Sequence, residues 1–251
     1  MLELTSKSEN NSIAKIGKKF LTINEDKGEN AISVSSSAGT HFQMIPNYTR
    51  NRVMYITGAS GSGKSYYIRS YAKEYKNKYK NNRIWLLSAI QDNTDFKSVG
   101  AKQLNPSKLM NLDMEKLVEA VSNSLIIFDD IDVMNKADRT ITYSILNKML
   151  EIGRKYYCTI CVSNHLATSG LDTRRILNES GSITFFMNNY NKSLRYLLEN
   201  YLGLEKDTIS KLKKSKSRWI TCFRHYPMVV MTQTEAFLPN AFEDIKKKTT
   251  E

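Results

Sequence analysis

Apolar and polar residues follow two different periods along this chain of 251 residues. Between short apolar runs, apolar positions recur every three or four residues, as on one face of a helix. The predicted strands span residues 53–57, 83–88, 124–128, 159–163 and 182–187. The predicted helices span residues 65–79, 109–123 and 138–153. Runs that are apolar throughout are typical of strands buried on both faces of a sheet, so this alternation predicts an α/β fold with a mostly parallel central sheet flanked by helices.

The two ends of the chain depart from this pattern. Apolar runs at 219–223 and 228–232, separated by four residues, predict a C-terminal β-hairpin. Residues 1–40 are polar with short apolar alternations, which predicts a polar N-terminal arm or edge strands. Residues 239–251 read as a charged C-terminal tail. We therefore predict one main domain over residues 41–238.

A glycine-rich stretch separates the first of these strands from the first helix. It fits the pattern G-x-x-x-x-G-K-[ST] of a P-loop at every fixed position, in the strand–loop–helix context that the pattern requires. In such a loop the backbone N–H groups point at phosphate oxygens, the helix N-terminus attracts the anion, and the lysine reaches the β- and γ-phosphates. The alternative is a glycine-rich turn that matches by accident. The residues that we predict to bind the nucleotide, ATP, are Gly58, Ala59, Ser60, Gly61, Ser62, Gly63, Lys64, Ser65 and Tyr66.

Paired carboxylates follow the apolar run at 124–128, where the chain continues with Asp129 and Asp130. Ligands of open α/β sheets bind at the carboxyl ends of the strands, which is where these acids lie. We predict that Asp129 and the Ser65 hydroxyl hold Mg²⁺, and that Asp130 orients or activates the attacking water. The alternative is an ordinary buried strand followed by an acidic turn.

The strand at 159–163 also ends in polar residues, Asn164 and His165. A polar residue at this point can lie between the acids and the γ-phosphate as a sensor, with Asn164 as the first candidate and His165 as the second. A loop asparagine that caps the following segment is the structural alternative.

The formal net charge of +12 and the pI near 9.4 indicate a polyanionic partner, most simply nucleic acid. The chain is also rich in Lys, Asn, Ile and Tyr, so AT-rich codon usage explains the lysine content equally well. Clusters of cations bind a nucleic-acid backbone without reading bases. Two such clusters are Lys73, Lys76, Lys78, Lys80, Arg83 and Lys206, Lys211, Lys213, Lys214, Lys216, Arg218.

Membrane and disulfide classes are not favoured. The sequence has no stretch near the roughly 20 apolar residues that span a bilayer, and its polar N-terminus lacks the apolar core of a signal peptide, so we expect a soluble protein. The three cysteines fit a reducing compartment. Cys158 and Cys161 form C-x-x-C, but their odd separation on a strand directs them to opposite faces, which argues against a metal or redox site.

A P-loop on the first strand, acids on the third and a polar residue ending the fourth resembles the additional-strand P-loop ATPases. More narrowly, residues 173–180 (TRRILNES) and 182–186 (SITFF) resemble the segment after strand four in DNA-packaging ATPases of large DNA viruses. Those enzymes belong to the FtsK–HerA superfamily and include the poxvirus-type packaging ATPase. The resemblance extends over about residues 45–235.

This resemblance implies a homo-oligomeric ring, a pentamer or hexamer, that hydrolyses ATP to move double-stranded DNA into a preformed capsid. It implies capsid or portal-like partners and a location in the host cytoplasm (a viral factory) or the virion. In such rings an arginine of one subunit completes the neighbouring site, and Arg174 and Arg175 match that role by position. Many relatives carry Asp-Glu after the strand where this chain has Asp129-Asp130, so the candidate catalytic base of this chain has a shorter side chain.

Three other functions stay open at this stage. The first is another nucleic-acid ATPase, such as a helicase, a conjugation-type pump or an AAA+ initiator, although an AAA+ protein normally ends in a helical lid. The second is a small nucleotide kinase, in which the arginines would clamp a second phosphate group. The third is a nucleotide-gated binding module or scaffold without turnover.

Overall fold

The computed structural model describes residues 2–24, 32–47, 52–90 and 94–239. Within these ranges the chain forms two β-sheets and seven α-helices. The strands are β1 (Leu2–Thr5), β2 (Ser12–Ile16), β3 (Lys19–Ile23), β4 (Ser33–Ser35), β5 (Gln43–Met44), β6 (Val53–Thr57), β7 (Ile84–Ser88), β8 (Ala101–Gln103), β9 (Leu125–Asp129), β10 (Thr159–Asn164), β11 (Ser182–Phe185), β12 (Ile220–Phe223), β13 (Val229–Met231) and β14 (Glu235–Phe237). The helices are α1 (Lys64–Lys78), α2 (Thr94–Lys97), α3 (Met114–Ala120), α4 (Lys136–Ile152), α5 (Gly170–Glu179), α6 (Lys192–Tyr196), which continues into a π-helical turn (Leu197–Tyr201), and α7 (Lys206–Lys214).

The larger sheet has the strand order β4-β14-β13-β12-β11-β6-β10-β9-β7-β8. The six strands from β11 to β8 pair in parallel, and the other four extend the sheet with antiparallel pairs. Strand β10 lies between β6, which leads into the P-loop, and β9, which ends in the acids. This insertion defines the additional-strand arrangement. The predicted fold class is confirmed, including the C-terminal hairpin, which is the antiparallel pair β12–β13.

Side chains alternate across the central strands and are buried on both faces. In β6, Val53 and Tyr55 join one apolar core while Met54 and Ile56 join the other. Helices α3 to α7 cover the first face, and α1 covers the second together with the smaller sheet. Cys158 and Cys161 also lie in different cores, as their odd spacing predicted.

The N-terminal residues form more structure than the predicted arm or edge strands. Strands β1, β3, β2 and β5 make an antiparallel sheet in that order, and β4 is an edge strand of the larger sheet. Strands β2 and β3 are joined by a tight turn at Gly17, whose φ of +56° favours glycine. The inward residues, such as Ile13 and Leu21, are fully buried against the core that contains α1. The domain boundaries at residues 40 and 239 stay predictions, and residues 240–251 lie outside the described part of the chain.

The helix predicted over 109–123 is shorter in the structure. A 3-10 turn covers Pro106–Leu109, and α3 begins only at Met114. The Asp113 carboxylate accepts hydrogen bonds from the N–H groups of Glu115 and Lys116, at 2.9 and 3.1 Å, and caps the helix N-terminus. Because the cap makes the helix begin at Met114, Leu112 lies before the helix and is exposed instead of facing the core.

Candidate nucleotide site

The P-loop joins β6 to α1 at the carboxyl edge of the parallel sheet. Gly61 and Gly63 have φ values of +73° and +107°, conformations that only glycine adopts without strain. Gly63 immediately precedes the first residue of α1, and the Gly58 N–H donates to the carbonyl of Asn164 at 3.2 Å. The loop is therefore anchored to the neighbouring strand at one end and opens onto a helix N-terminus at the other.

The base of the loop is closely packed around Gly58. A Cβ built on Gly58 would lie 2.6 Å from Ser62 Oγ and 2.9 Å from Cδ2 of Phe186, so the loop has no room for a side chain there. Phe186 follows β11 and is buried. Ser62 Oγ is buried and has no hydrogen-bond partner among the described residues. A buried hydroxyl without a partner is costly, and a phosphate oxygen in this cradle would satisfy it.

The P-loop lysine folds back over its own loop. Lys64 is buried, and its Nζ donates to the carbonyl of Gly58 at 2.9 Å. The same ammonium lies 3.5 Å from Oδ1 of Asp130, so the charge is balanced by an acid across the cleft. A buried ammonium needs such partners, and the phosphates of a bound nucleotide would supply stronger ones.

Asp129 ends β9 with its carboxylate almost fully buried. Ser163 Oγ donates to Oδ1 at 2.8 Å, and Ser88 Oγ donates to Oδ2 at 3.4 Å. Burial, reinforced by the charge of Asp130, raises the pKa of Asp129. Burial and the neighbouring charge disfavour the ionised form of this carboxylate, and a hard cation such as Mg²⁺, which takes oxygen ligands, would stabilise it.

Asp130 turns the chain out of the sheet in a left-handed conformation, with φ 51° and ψ 50°. Aspartate tolerates this conformation better than most residues. Its N–H donates to Ser163, at 3.1 Å to both the carbonyl and the hydroxyl oxygen. The turn directs the Asp130 carboxylate toward Lys64 and toward Nε2 of His165, which lies 3.1 Å from Oδ2.

Asn164 ends β10 in register with Thr57, directly beside the start of the P-loop. Its side chain is fully buried, and neither atom of the amide has a hydrogen-bond partner among the described residues. The amide lies beside the Tyr55 hydroxyl, which donates to the carbonyls of Leu166 and Ala167. The predicted sensor role of Asn164 stays a prediction, as does the alternative of a loop cap.

The structure brings Lys64, Asp129, Asp130 and Asn164 to one edge of the sheet. Ser65 follows Lys64 in the first turn of α1 and is half-buried. Tyr66 is 68% exposed, and the Arg69 guanidinium lies over its ring at 5.8 Å. The remaining loop residues, Ala59 and Ser60, complete the turn between β6 and α1.

Arg174 and Arg175 are not part of this cluster. Both lie on α5 with exposed side chains, and neither makes a hydrogen bond or ion pair within the described part of the chain. Their roles, like those of the other predicted site residues, stay predictions.

Three contributors to the site were missed by sequence reasoning. Ser88 and Ser163 hold Asp129, and Phe186 forms the wall behind Gly58. Ser88 stands opposite Asp129 in the register of β7 and β9. A serine near the end of each neighbouring strand was the available signal, but its meaning depends on strand order.

The residues present fit a magnesium–nucleotide complex. The P-loop amides, Ser62 and Lys64 would hold the phosphates, while Ser65 and Asp129 would hold Mg²⁺. The bound metal would neutralise charge on the phosphate oxygens. Fold and site together define the chain as a P-loop NTPase of the additional-strand type.

The chain is 34% identical over 225 residues to uncharacterized protein V3 of Sputnik virophage, covering 88% of this chain and 89% of that protein. It therefore belongs to the same protein family as V3. No family model matches the sequence.

Solved structures with a similar fold include B204 from two viruses. The genome-packaging NTPase B204 of Sulfolobus turreted icosahedral virus 2, in complex with sulfate, has a TM-score of 0.52 at 15% identity, covering 73% of this chain and 97% of that one. B204 of Sulfolobus turreted icosahedral virus, described as a DNA-packaging ATPase, has a TM-score of 0.50 at 15% identity, covering 73% and 98%. At this identity the likeness establishes the fold. Within the described ranges, no helix has the length and apolar character needed to cross a membrane.

Proposed function

We propose that this protein hydrolyses ATP with Mg²⁺ and uses the energy to translocate double-stranded DNA, packaging a viral genome into a preformed capsid. The observation that carries the proposal is the meeting of Lys64, Asp129, Asp130 and Asn164 at one edge of the sheet. Phosphoryl transfer to water needs a phosphate cradle, a metal ligand and a group that orients water, and these residues supply each of them.

The charge of the chain supports DNA as the substrate that the motor moves. A net charge of +12 favours a polyanion, and a motor that acts on any sequence needs backbone contacts rather than base readout. Among the clustered lysines, Lys213 and Lys214 are exposed at the end of α7.

The viral setting is supported by two similarities. A family member occurs in Sputnik virophage, and B204, which shares the fold, is described as a genome-packaging NTPase. Together with the TRRILNES segment, they favour a packaging ATPase of the FtsK–HerA superfamily, the group that includes the poxvirus-type enzyme. We accordingly propose capsid or portal-like components as partners and the host cytoplasm or the virion as the location.

A ring supplies what the single chain lacks. Arg174 and Arg175 are exposed and unpaired within the described residues, while the cluster around Lys64 contains no arginine. A guanidinium beside the γ-phosphate raises the rate by about 10³ to 10⁵ in other phosphoryl-transfer enzymes. We propose that one of these arginines enters the neighbouring subunit's site in a pentamer or hexamer.

The test is steady-state ATP hydrolysis at low salt, with and without long double-stranded DNA. We expect DNA to stimulate the wild-type rate, and we expect Lys64→Ala and Asp129→Ala to abolish the stimulated rate. Lys108→Ala is the matched control, because Lys108 is exposed and lies outside both the site and the lysine clusters.

The outcomes separate the competing functions. Hydrolysis that ignores DNA would contradict a DNA motor, and phosphate transfer to a nucleoside monophosphate would establish a kinase. Strand separation on forked DNA would favour a helicase. Tight ATP binding without turnover, in a preparation that sedimentation shows to be a ring, would leave a nucleotide-gated scaffold.

A further inference from the structure

The carboxylate of Asp130 has three side-chain neighbours in the site. Lys64 Nζ lies 3.5 Å from Oδ1, Ser163 Oγ lies 3.4 Å from Oδ1, and His165 Nε2 lies 3.1 Å from Oδ2. The histidine contact is the shortest of the three. It is also the contact that holds the oxygen farther from the P-loop lysine.

His165 is itself held in place by the turn that follows β9. The backbone N–H of His165 donates to Oδ2 of Asp132 at 3.0 Å, and Asp132 lies in the 3-10 turn that follows Asp130. The loops after β9 and β10 are thus tied together twice, once through each aspartate. The His165 ring is 27% exposed, so it borders the open cleft rather than the core.

The short side chain of Asp130 makes the contact with His165 important for the direction of its carboxylate. Aspartate has one methylene fewer than glutamate, so its carboxylate stays closer to the backbone and depends more on the local turn for its direction. Lys64 cannot serve as its permanent partner, because the proposed nucleotide phosphates compete for the same ammonium. When Lys64 turns to the phosphates, the Asp130 carboxylate keeps two side-chain neighbours, Ser163 at Oδ1 and His165 at Oδ2, and His165 is the nearer of the two.

We propose that His165 is a positioning residue that holds the Asp130 carboxylate in the direction needed to orient the attacking water. The inference rests on the proposed function, because it assigns a role within ATP hydrolysis. It differs from a sensor role, since His165 acts through Asp130 and not through the γ-phosphate. The contact on which the proposal rests is the 3.1 Å approach of His165 Nε2 to Oδ2 of Asp130.

The test is a set of variants assayed for kcat, KM and binding of a fluorescent, non-hydrolysable ATP analogue. We expect His165→Ala to lower kcat by about 10- to 100-fold, the usual cost of losing a side chain that orients a site residue. KM and analogue binding should stay at wild-type values. His165→Gln should recover most of the loss, because its amide N–H can donate to Oδ2. His41→Ala, which changes an exposed histidine outside the site, should keep the wild-type kcat.

A double-mutant cycle with Asp130→Asn makes the test specific. If His165 acts through Asp130, His165→Ala should cause no further loss in the Asp130→Asn background. Additive losses would overturn the proposal, and so would equal loss of analogue binding and thermal stability in both His165 variants, which would mean a purely structural role. A wild-type protein that hydrolyses ATP while His165→Ala keeps full kcat would refute the inference and leave the proposed function standing. A wild-type ring that does not hydrolyse ATP would refute both.

Discussion

The packing behind the P-loop gives a sharp prediction for Gly58→Ala. The backbone at Gly58 is not in the left-handed region, so alanine is conformationally acceptable and the cost comes from space. The new Cβ meets Ser62 Oγ at 2.6 Å and Cδ2 of Phe186 at 2.9 Å, and both atoms belong to the closely packed base of the loop. Overpacking of this kind costs about 1–3 kcal/mol, or roughly 2–12 °C in Tm for a chain of this size.

The assay is thermal unfolding without nucleotide, followed by binding of a fluorescent ATP analogue. Analogue affinity should also fall in Gly58→Ala, because the displaced Gly58 carbonyl is the one that Lys64 contacts. Adding Ser62→Ala removes the 2.6 Å contact with Oγ, the shortest of the three, and should restore part of the lost stability.

Gly61→Ala provides the matched control for this mechanism. Nothing lies within 4 Å of a Cβ at Gly61, but its φ of +73° makes alanine cost about 1–2 kcal/mol through backbone strain. Ser62→Ala should therefore restore more stability to Gly58→Ala than it adds to Gly61→Ala or to the wild type. Wild-type Tm in Gly58→Ala, or equal rescue of both variants, would refute the steric argument.

Three further predictions follow from the same structure. Mixing Lys64→Ala subunits with Arg174→Ala/Arg175→Ala subunits should restore measurable ATP hydrolysis that neither has alone, because some interfaces then pair an intact P-loop with intact arginines; no recovery would argue against a site shared between subunits. The double variant Lys213→Ala/Lys214→Ala should lower the slope of log affinity for DNA against log salt by about two, since each phosphate contact contributes about one; an unchanged slope would remove both lysines from the DNA contact. Burial raises the pKa of Tyr67 to about 12 from 10.0. The unfolded tyrosine therefore loses its proton first, and stability should fall between pH 10 and 12 by about 1.4 kcal/mol per pH unit for this group. Urea unfolding at pH 8–11 should show that the free energy of unfolding falls less steeply with pH in Tyr67→Phe than in the wild type, by the contribution of one proton. An equal dependence on pH in both proteins would contradict the raised pKa of Tyr67.

The sequence was most informative where burial on both faces fixes the residue pattern. The strands β6, β9 and β10 carry apolar side chains at successive positions because neither face meets water, so the runs stood out and their polar ends could be located. Short strands gave no such signal. Strands β8 and β14 have three residues each, and their pairing depends on neighbours that arrive from distant parts of the chain.

The broken helix over 109–123 shows a different limit. Leu112 and Leu117 have helical spacing, but Asp113 forms a cap between them, and a cap residue competes with the helix interior. The signal was local and available: an aspartate that precedes Met114 and Glu115 is a typical helix start. The prediction followed the spacing of the apolar residues and did not use Asp113 as a helix start.

For the site, spacing identified the residues but not their supports. The P-loop and the paired acids follow from motifs, whereas Ser88 reaches Asp129 through the pairing of β7 with β9. Phe186 reaches Gly58 only because β11 lies beside β6. These contacts depend on strand order, which motif spacing does not encode.

The position of β6 in the sheet makes the nucleotide site a property of the finished chain. A truncated chain that ends at residue 158 contains the whole P-loop pattern and both acids, so a motif search would predict that it binds nucleotide. It nevertheless leaves both edges of β6 open, because β10 and β11 have not been made. Open edges pair with other chains, and Gly58 has neither the Asn164 carbonyl nor the Phe186 ring to fix the loop. We therefore expect a chain that ends before β11 to lack a formed phosphate cradle.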